Sequence, residues 1–121
     1  MKRGIITNNG QGIHISDGKV WMTTWEIAEL FNTTAGVIHA AIKGMLRVGI
    51  LKEYKICKYI KLENGYNADV YNLEMVIALS YQVNTGHSIE FRLWLTNKVT
   101  HKQVHNILVY LNKETSSTLS C

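Results

Sequence analysis

The chain has 121 residues, 46% of them hydrophobic and 18% charged, with a formal net charge of +4. That length buries a core without disulfide staples and predicts a single domain over residues 1–113 with a flexible tail at 114–121; the composition excludes a fibrous or wholly disordered chain. Two distant cysteines, Cys57 and Cys121, exclude a disulfide framework, and no apolar run reaches the roughly 20 residues of a membrane span. The apolar stretch after Met1-Lys2-Arg3 is too short for a signal peptide, so the expectation is a cytoplasmic protein with no membrane partner. The basic balance suits a polyanionic partner without requiring one.

Gly12-Ile13-His14-Ile15 and Lys19-Val20-Trp21-Met22 alternate around Ser16-Asp17-Gly18, which predicts an N-terminal two-stranded hairpin. Thr23 and Glu26 have the spacing of a capping box, and Ile27, Leu30 and Phe31 give the following helix its apolar stripe. Asn32-Thr33-Thr34 interrupts that helix. Thr34, or Thr33 before it, caps a second one, with Val37, Ile38, Ala41, Ile42 and Met45 expected inward and a stop at Val48-Gly49. Two helices joined so tightly cross steeply, as in a helix-turn-helix, whose second helix enters the major groove of DNA.

A second hairpin follows. Ile56-Cys57-Lys58-Tyr59-Ile60-Lys61-Leu62 and Ala68-Asp69-Val70-Tyr71 flank a loop containing Asn64-Gly65, a strong hairpin signal. Lys58 and Lys61, three apart, point to opposite faces of a regular strand. Asn72 caps an apolar helix over 73–81, and Ser88 is expected to cap a last helix from Ile89 to about Asn112. The sum is an α+β winged helix-turn-helix with an N-terminal β-hairpin, a β-hairpin wing and two C-terminal helices, the wing loop lying beside the second helix.

One series of short blocks is distinctive: Val20-Trp21-Met22-Thr23, Ala28-Glu29-Leu30-Phe31, Gly49-Ile50-Leu51, Tyr71-Asn72-Leu73-Glu74-Met75-Val76-Ile77-Ala78, Tyr81-Gln82-Val83-Asn84 and Phe91-Arg92-Leu93-Trp94-Leu95. Over residues 13–98 it resembles the RhuM-type virulence protein family, whose members carry W-L-T, A-E-L-F, Y-N-L-D-M-I-I-x-V-G-Y-R-V-N and F-R-x-W-A. The resemblance implies a winged-helix DNA-binding domain of bacterial and prophage genomes, sometimes fused ahead of Fic-like domains and comparable with KilA-N and Bro-N regulators. A regulatory, nucleoid-associated role is what it implies for function. The chain departs from the family pattern at Thr34-Ala35-Gly36-Val37, where Ser-Arg-Gln-Asn-like residues are usual. It departs again at Asn84-Thr85-Gly86-His87, where the family has a basic loop, and at Gln82, where arginine is usual.

For duplex DNA the expected contacts are Thr33, Thr34, Ala35, Gly36, His39, Ala40, Lys43 and Arg47 on and before the second helix, and Lys58, Lys61 and Asn64 on the wing. The Lys52/Lys55 segment adds two more cations. The reading head holds no Arg, Asn or Gln for bidentate base contacts, so the preference is for shape rather than sequence. About four neutralised phosphates give a slope near −3.6 in log K against log salt. Val104, Ile107, Leu108 and Leu111 form an apolar stripe suited to a homodimer. His101 and His105 share a helix face without a third ligand at metal spacing, so no metal or other cofactor is expected. With no nucleophile–base motif, phosphate loop or paired carboxylates, the chain reads as a non-enzyme with no evident small-molecule substrate. Its alternative is a helix-turn-helix that has lost its polar reading residues and serves as a protein-interaction module.

Overall fold

The computed structural model describes residues 2–49 and 56–98. The elements run β1 (Ile6–Asn8), β2 (Ile13–Ile15), β3 (Trp21–Met22), α1 (Thr24–Leu30), α2 (Ala35–Arg47), β4 (Cys57–Lys61), β5 (Asn67–Asn72), α3 (Leu73–Gln82) and α4 (Gly86–Lys98). This is a mixed α+β fold: among the described residues, four helices pack with two small antiparallel sheets. One sheet is β1-β2; the other has the order β3-β5-β4, so the strand before the helix pair sits against the last strand of the later hairpin.

The N-terminal hairpin differs from the sequence expectation. Ile13–Ile15 pairs with Ile6–Asn8 around Asn9-Gly10-Gln11-Gly12, and Trp21–Met22 pairs with Tyr71 and Asn72 instead. Asn9 Oδ1 accepts from the backbone N–H groups of Gln11 and Gly12, so this loop is a better-bonded turn than Ser16-Asp17-Gly18. The Asp17-Gly18 turn carries the chain from one sheet to the other. There Gly4 forms a parallel bridge with Val20, and a side chain on Gly4 would collide with the Gly18 carbonyl. This close backbone approach is the reason for glycine at position 4.

The helix starts follow local chemistry. Thr23 Oγ1 accepts from Glu26 N–H while the Glu26 carboxylate accepts from Thr23 N–H, the reciprocal capping box. Thr34 accepts from Val37 N–H at the start of α2, and Asn72 from Met75 N–H at the start of α3. The last helix begins at Gly86, three residues before the expected first residue Ile89. Thr85 Oγ1 accepts from Ser88 N–H, Ser88 Oγ accepts from Thr85 N–H, and the helix opens at Gly86. Thr85 also donates to the Phe31 carbonyl at 2.6 Å, fastening the start of α4 to the end of α1.

Ile27, Leu30 and Phe31 of the first helix, Ile38, Ile42 and Met45 of the second, and residues 75–79 of α3 make the core with Phe91 and Leu95. Val37 is not part of it: nearly half exposed, it departs from the inward position expected of it. One step before the buried Ile38, it sits about 100° round the helix, clear of the core face. Among the described residues no helix is long and apolar enough to cross a membrane.

Candidate nucleic-acid interface

The turn between α1 and α2 is short because Asn32 adopts a left-handed backbone (φ 53°), a conformation that asparagine tolerates better than most side chains. Its N–H bonds to the Glu29 carbonyl and that of Thr33 to the Ala28 carbonyl, closing α1 before Thr34 opens α2. Gly49, with φ 77°, closes α2 at its other end.

Helical geometry then sorts the side chains of α2. Ile38, Ile42 and Met45 are buried, Ala41 is half-buried, and Gly36, His39, Ala40, Lys43 and Arg47 are all exposed. At about 100° per residue these five fall within roughly 60° of one line, diametrically opposite the buried set, along a stripe about 16 Å long. No acidic residue lies between Glu29 and Glu53, so the cations of that stripe face no carboxylate from their own helix. Neither glycine is required by packing: a Cβ on Gly36 would come no nearer than 3.9 Å to Thr34 Oγ1, and one on Gly44 would meet nothing within 4 Å. Thr33 and Ala35 are half-buried and Thr34 is exposed at the head of the stripe.

The second hairpin is β4 and β5 in the register Lys58↔Val70, Tyr59↔Asp69, Lys61↔Asn67. Its loop is a four-residue turn with a bulge rather than a two-residue turn. Gly65 N–H bonds to the Leu62 carbonyl, Leu62 N–H bonds to the Tyr66 carbonyl, and Gly65 takes the positive φ of 91° that this geometry needs. Asn64 Oδ1 accepts from Tyr66 N–H, so its carbonyl end serves the turn. Lys61 is exposed and open to an anion. Lys58, by contrast, holds its Nζ 4.3 Å from the centre of the Trp21 ring, a cation–π contact that ties its ammonium to the sheet.

A charged cluster not visible in the sequence fastens the loop of this hairpin. Arg3, with 6% of its surface exposed, donates Nη1 to the Trp21 carbonyl and to Glu26 Oε1, both at 2.7 Å. Its Nη2 reaches Glu26 Oε2 and Glu63 Oε2, each at 3.1 Å, and its Nε reaches Glu63 Oε1 at 3.3 Å. All five guanidinium N–H groups are thereby used, so Arg3 offers nothing to a phosphate. Because Glu26 stands in the first turn of α1 and Glu63 in the β4–β5 loop, the loop is held against the start of α1. Only the capping role of Glu26 was legible locally; its partner lies 23 residues away, and Glu63 lies 60 residues from Arg3.

The hydrogen bonds from Arg3, chief among their effects, hold the Glu63 carboxyl below the ordinary glutamate range, and the paired Glu26 raises the guanidinium of Arg3 still further. A depressed folded value means that the contribution of Glu63 to stability is complete above about pH 4.3 and fades as pH falls through the lower folded value. The expected result is that Glu63→Gln is less stable than the wild type near neutrality and that the difference closes in acid. Urea midpoints of both proteins between about pH 7 and pH 3 measure it.

Arg92 stacks over the Tyr81 ring at 5.1 Å and donates to the Ser88 carbonyl, which is a packing role. Burial raises the Tyr81 hydroxyl pKa, with Arg92 pulling the other way. A shallow cleft lined by Ile5, Thr7, Asn8, Glu26, Glu29 and Leu30 encloses about 60 Å³, room for about two waters. Among the described residues no group of three or more His, Cys, Asp or Glu side chains is placed to hold a metal. Lys52, Lys55, His101, His105 and the stripe Val104, Ile107, Leu108 and Leu111 lie outside the described residues.

Comparison with protein-family models, with curated proteins and with solved structures finds no match to this chain.

Proposed function

We propose that this protein is a winged-helix domain that binds duplex DNA, with α2 as the helix laid in the major groove. One observation carries the reading: the outward stripe of α2 is basic, free of acids on its own helix, and left uncovered by the rest of the described fold. The topology supports it. A helix pair between β3 and β4, followed by a hairpin whose second strand lies between the other two, is the layout of a winged helix. The resemblance to the RhuM-type family adds a bacterial or prophage regulatory setting.

Gly36 and Ala40 let the helix backbone approach the base edges closely, and Ala40 suits a thymine methyl group. With His39 and Lys43 as the reach toward guanine, sequence preference is shallow. Lys43, Arg47 and Lys61 supply the phosphate contacts. Lys58 is engaged with Trp21, and these three cations alone give an expected salt slope of about −2.7. Fluorescence anisotropy on mixed-sequence duplexes across a range of salt tests this. Binding that weakens with that slope and differs little between sequences supports the proposal, whereas no binding at low salt removes it.

The exposed Val37 beside the stripe and the exposed Trp25 on α1 favour a second reading, a protein-interaction module. That reading predicts no dependence of duplex binding on Lys43 and Arg47.

A further inference from the structure

We infer that Arg3 is a positioning residue, a clasp that holds the wing loop in its DNA-contacting pose, and this rests on the duplex-binding reading above. The guanidinium is nearly all buried, yet one of its two carboxylate partners, Glu63, sits on an exposed loop with 62% of its side chain accessible. Glu26 alone balances the charge of the buried arginine and, with the Trp21 carbonyl, takes three of its five N–H groups. The second fork, Nε and Nη2 onto Glu63, takes the other two and joins two distant parts of the chain. Those two Nη2 bonds of 3.1 Å also keep the Glu63 and Glu26 carboxylates within bridging reach of each other despite their like charge.

Without that fork the loop is held by its own turn: Leu62 with Tyr66, Gly65 with Leu62, and Asn64 with Tyr66. None of these bonds fixes its direction relative to α1. A two-stranded ribbon extending past its sheet bends about its base, since β3 pairs only with Tyr71 and Asn72. Arg3 removes that freedom before DNA arrives. Lys61 and Asn64 then meet the duplex without an ordering cost at the moment of binding.

The test separates a clasp from a plain surface charge by the sign of its effect. Glu63→Ala deletes an acidic group from a DNA-facing loop; through charge alone it would tighten binding. The clasp predicts the opposite: about threefold or greater weakening toward the same duplex, while the thermal midpoint falls only by the loss that Glu63→Gln shows near neutrality and the protein stays folded at the titration temperature. Backbone ¹⁵N relaxation gives the second arm. Order parameters at Asn64–Tyr66 are expected to fall from about 0.85 to below about 0.6 while those of α2 hold. Arg3→Lys, which keeps the charge and loses the fork, should loosen the loop likewise. A loop as rigid in Glu63→Ala as in wild type overturns the clasp, and a loosened loop with unchanged or tighter binding overturns its positioning role. If the wild type itself binds no duplex, the function proposed above fails instead, and the positioning role fails with it even where the relaxation data show the loop tied down.

Discussion

Replacing Lys43 and Arg47 together by glutamate is expected to weaken duplex binding about 100-fold or more at low salt and to reduce the salt slope from about −2.7 to about −0.9. Both side chains are exposed on α2, one turn apart, and neither takes part in a salt bridge among the described residues. The helix therefore survives their reversal, apart from a small loss from placing an acid in its last turn at Arg47. Circular dichroism and the thermal midpoint confirm that the fold is intact. Anisotropy titration of the variant then reads the interface alone. Retained binding would transfer the function of α2 to a protein partner, with Val37 and Ala40 as its contact surface.

The second large effect is on stability. Phe31 ends α1 fully buried, and its ring meets Phe91 edge-on at 5.5 Å with an interplanar angle of 75°. Phe91 in turn lies 5.7 Å from Trp94. This aromatic run couples the helix pair to α4, so its loss opens a cavity where three helices meet. Phe31→Ala is expected to cost about 3–5 kcal/mol, a large share of the roughly 5–15 kcal/mol available to a domain. Urea unfolding measures it: the midpoint falls steeply while the slope stays constant. A loss under about 1 kcal/mol would mean that α4 is not tied to the helix pair through this contact.

The helix starts were legible because their chemistry is local. Thr23 with Glu26, Thr34 with Val37 and Asn72 with Met75 are three-residue relations, and each is in place. The β4–β5 hairpin was legible for the same reason, since Asn64-Gly65 marks a turn whatever surrounds it. Strand pairing at the N-terminus was not. Both Gly10 and Gly18 sit in turn-forming stretches, and what decides between them is the close passage of Gly4 past Gly18, a contact between segments that no local pattern encodes. The start of α4 was misplaced because Thr85 and Ser88 are both good caps and cap each other.

The candidate site divides along the same line. The exposed stripe of α2 follows from periodicity alone, with Val37 the one inward position that packing left outside. The cations of the hairpin did not follow. The spacing of Lys58 and Lys61 puts them on opposite faces of β4, and only the position of Trp21 across β5 shows which ammonium is engaged and which is open. Arg3 was hidden for a further reason. Its two carboxylates come from one helix start and one loop, and tertiary structure alone brings them to the same guanidinium.

Amide chemical-shift mapping of the ¹⁵N-labelled protein with a mixed-sequence duplex tests most directly whether α2 is the DNA-contacting helix. Perturbations should concentrate at Thr34, Gly36, His39, Ala40, Lys43 and Arg47, with a second group at Lys61 and Asn64. Shifts confined to α3 and α4, or none at duplex concentrations well above micromolar, would contradict it.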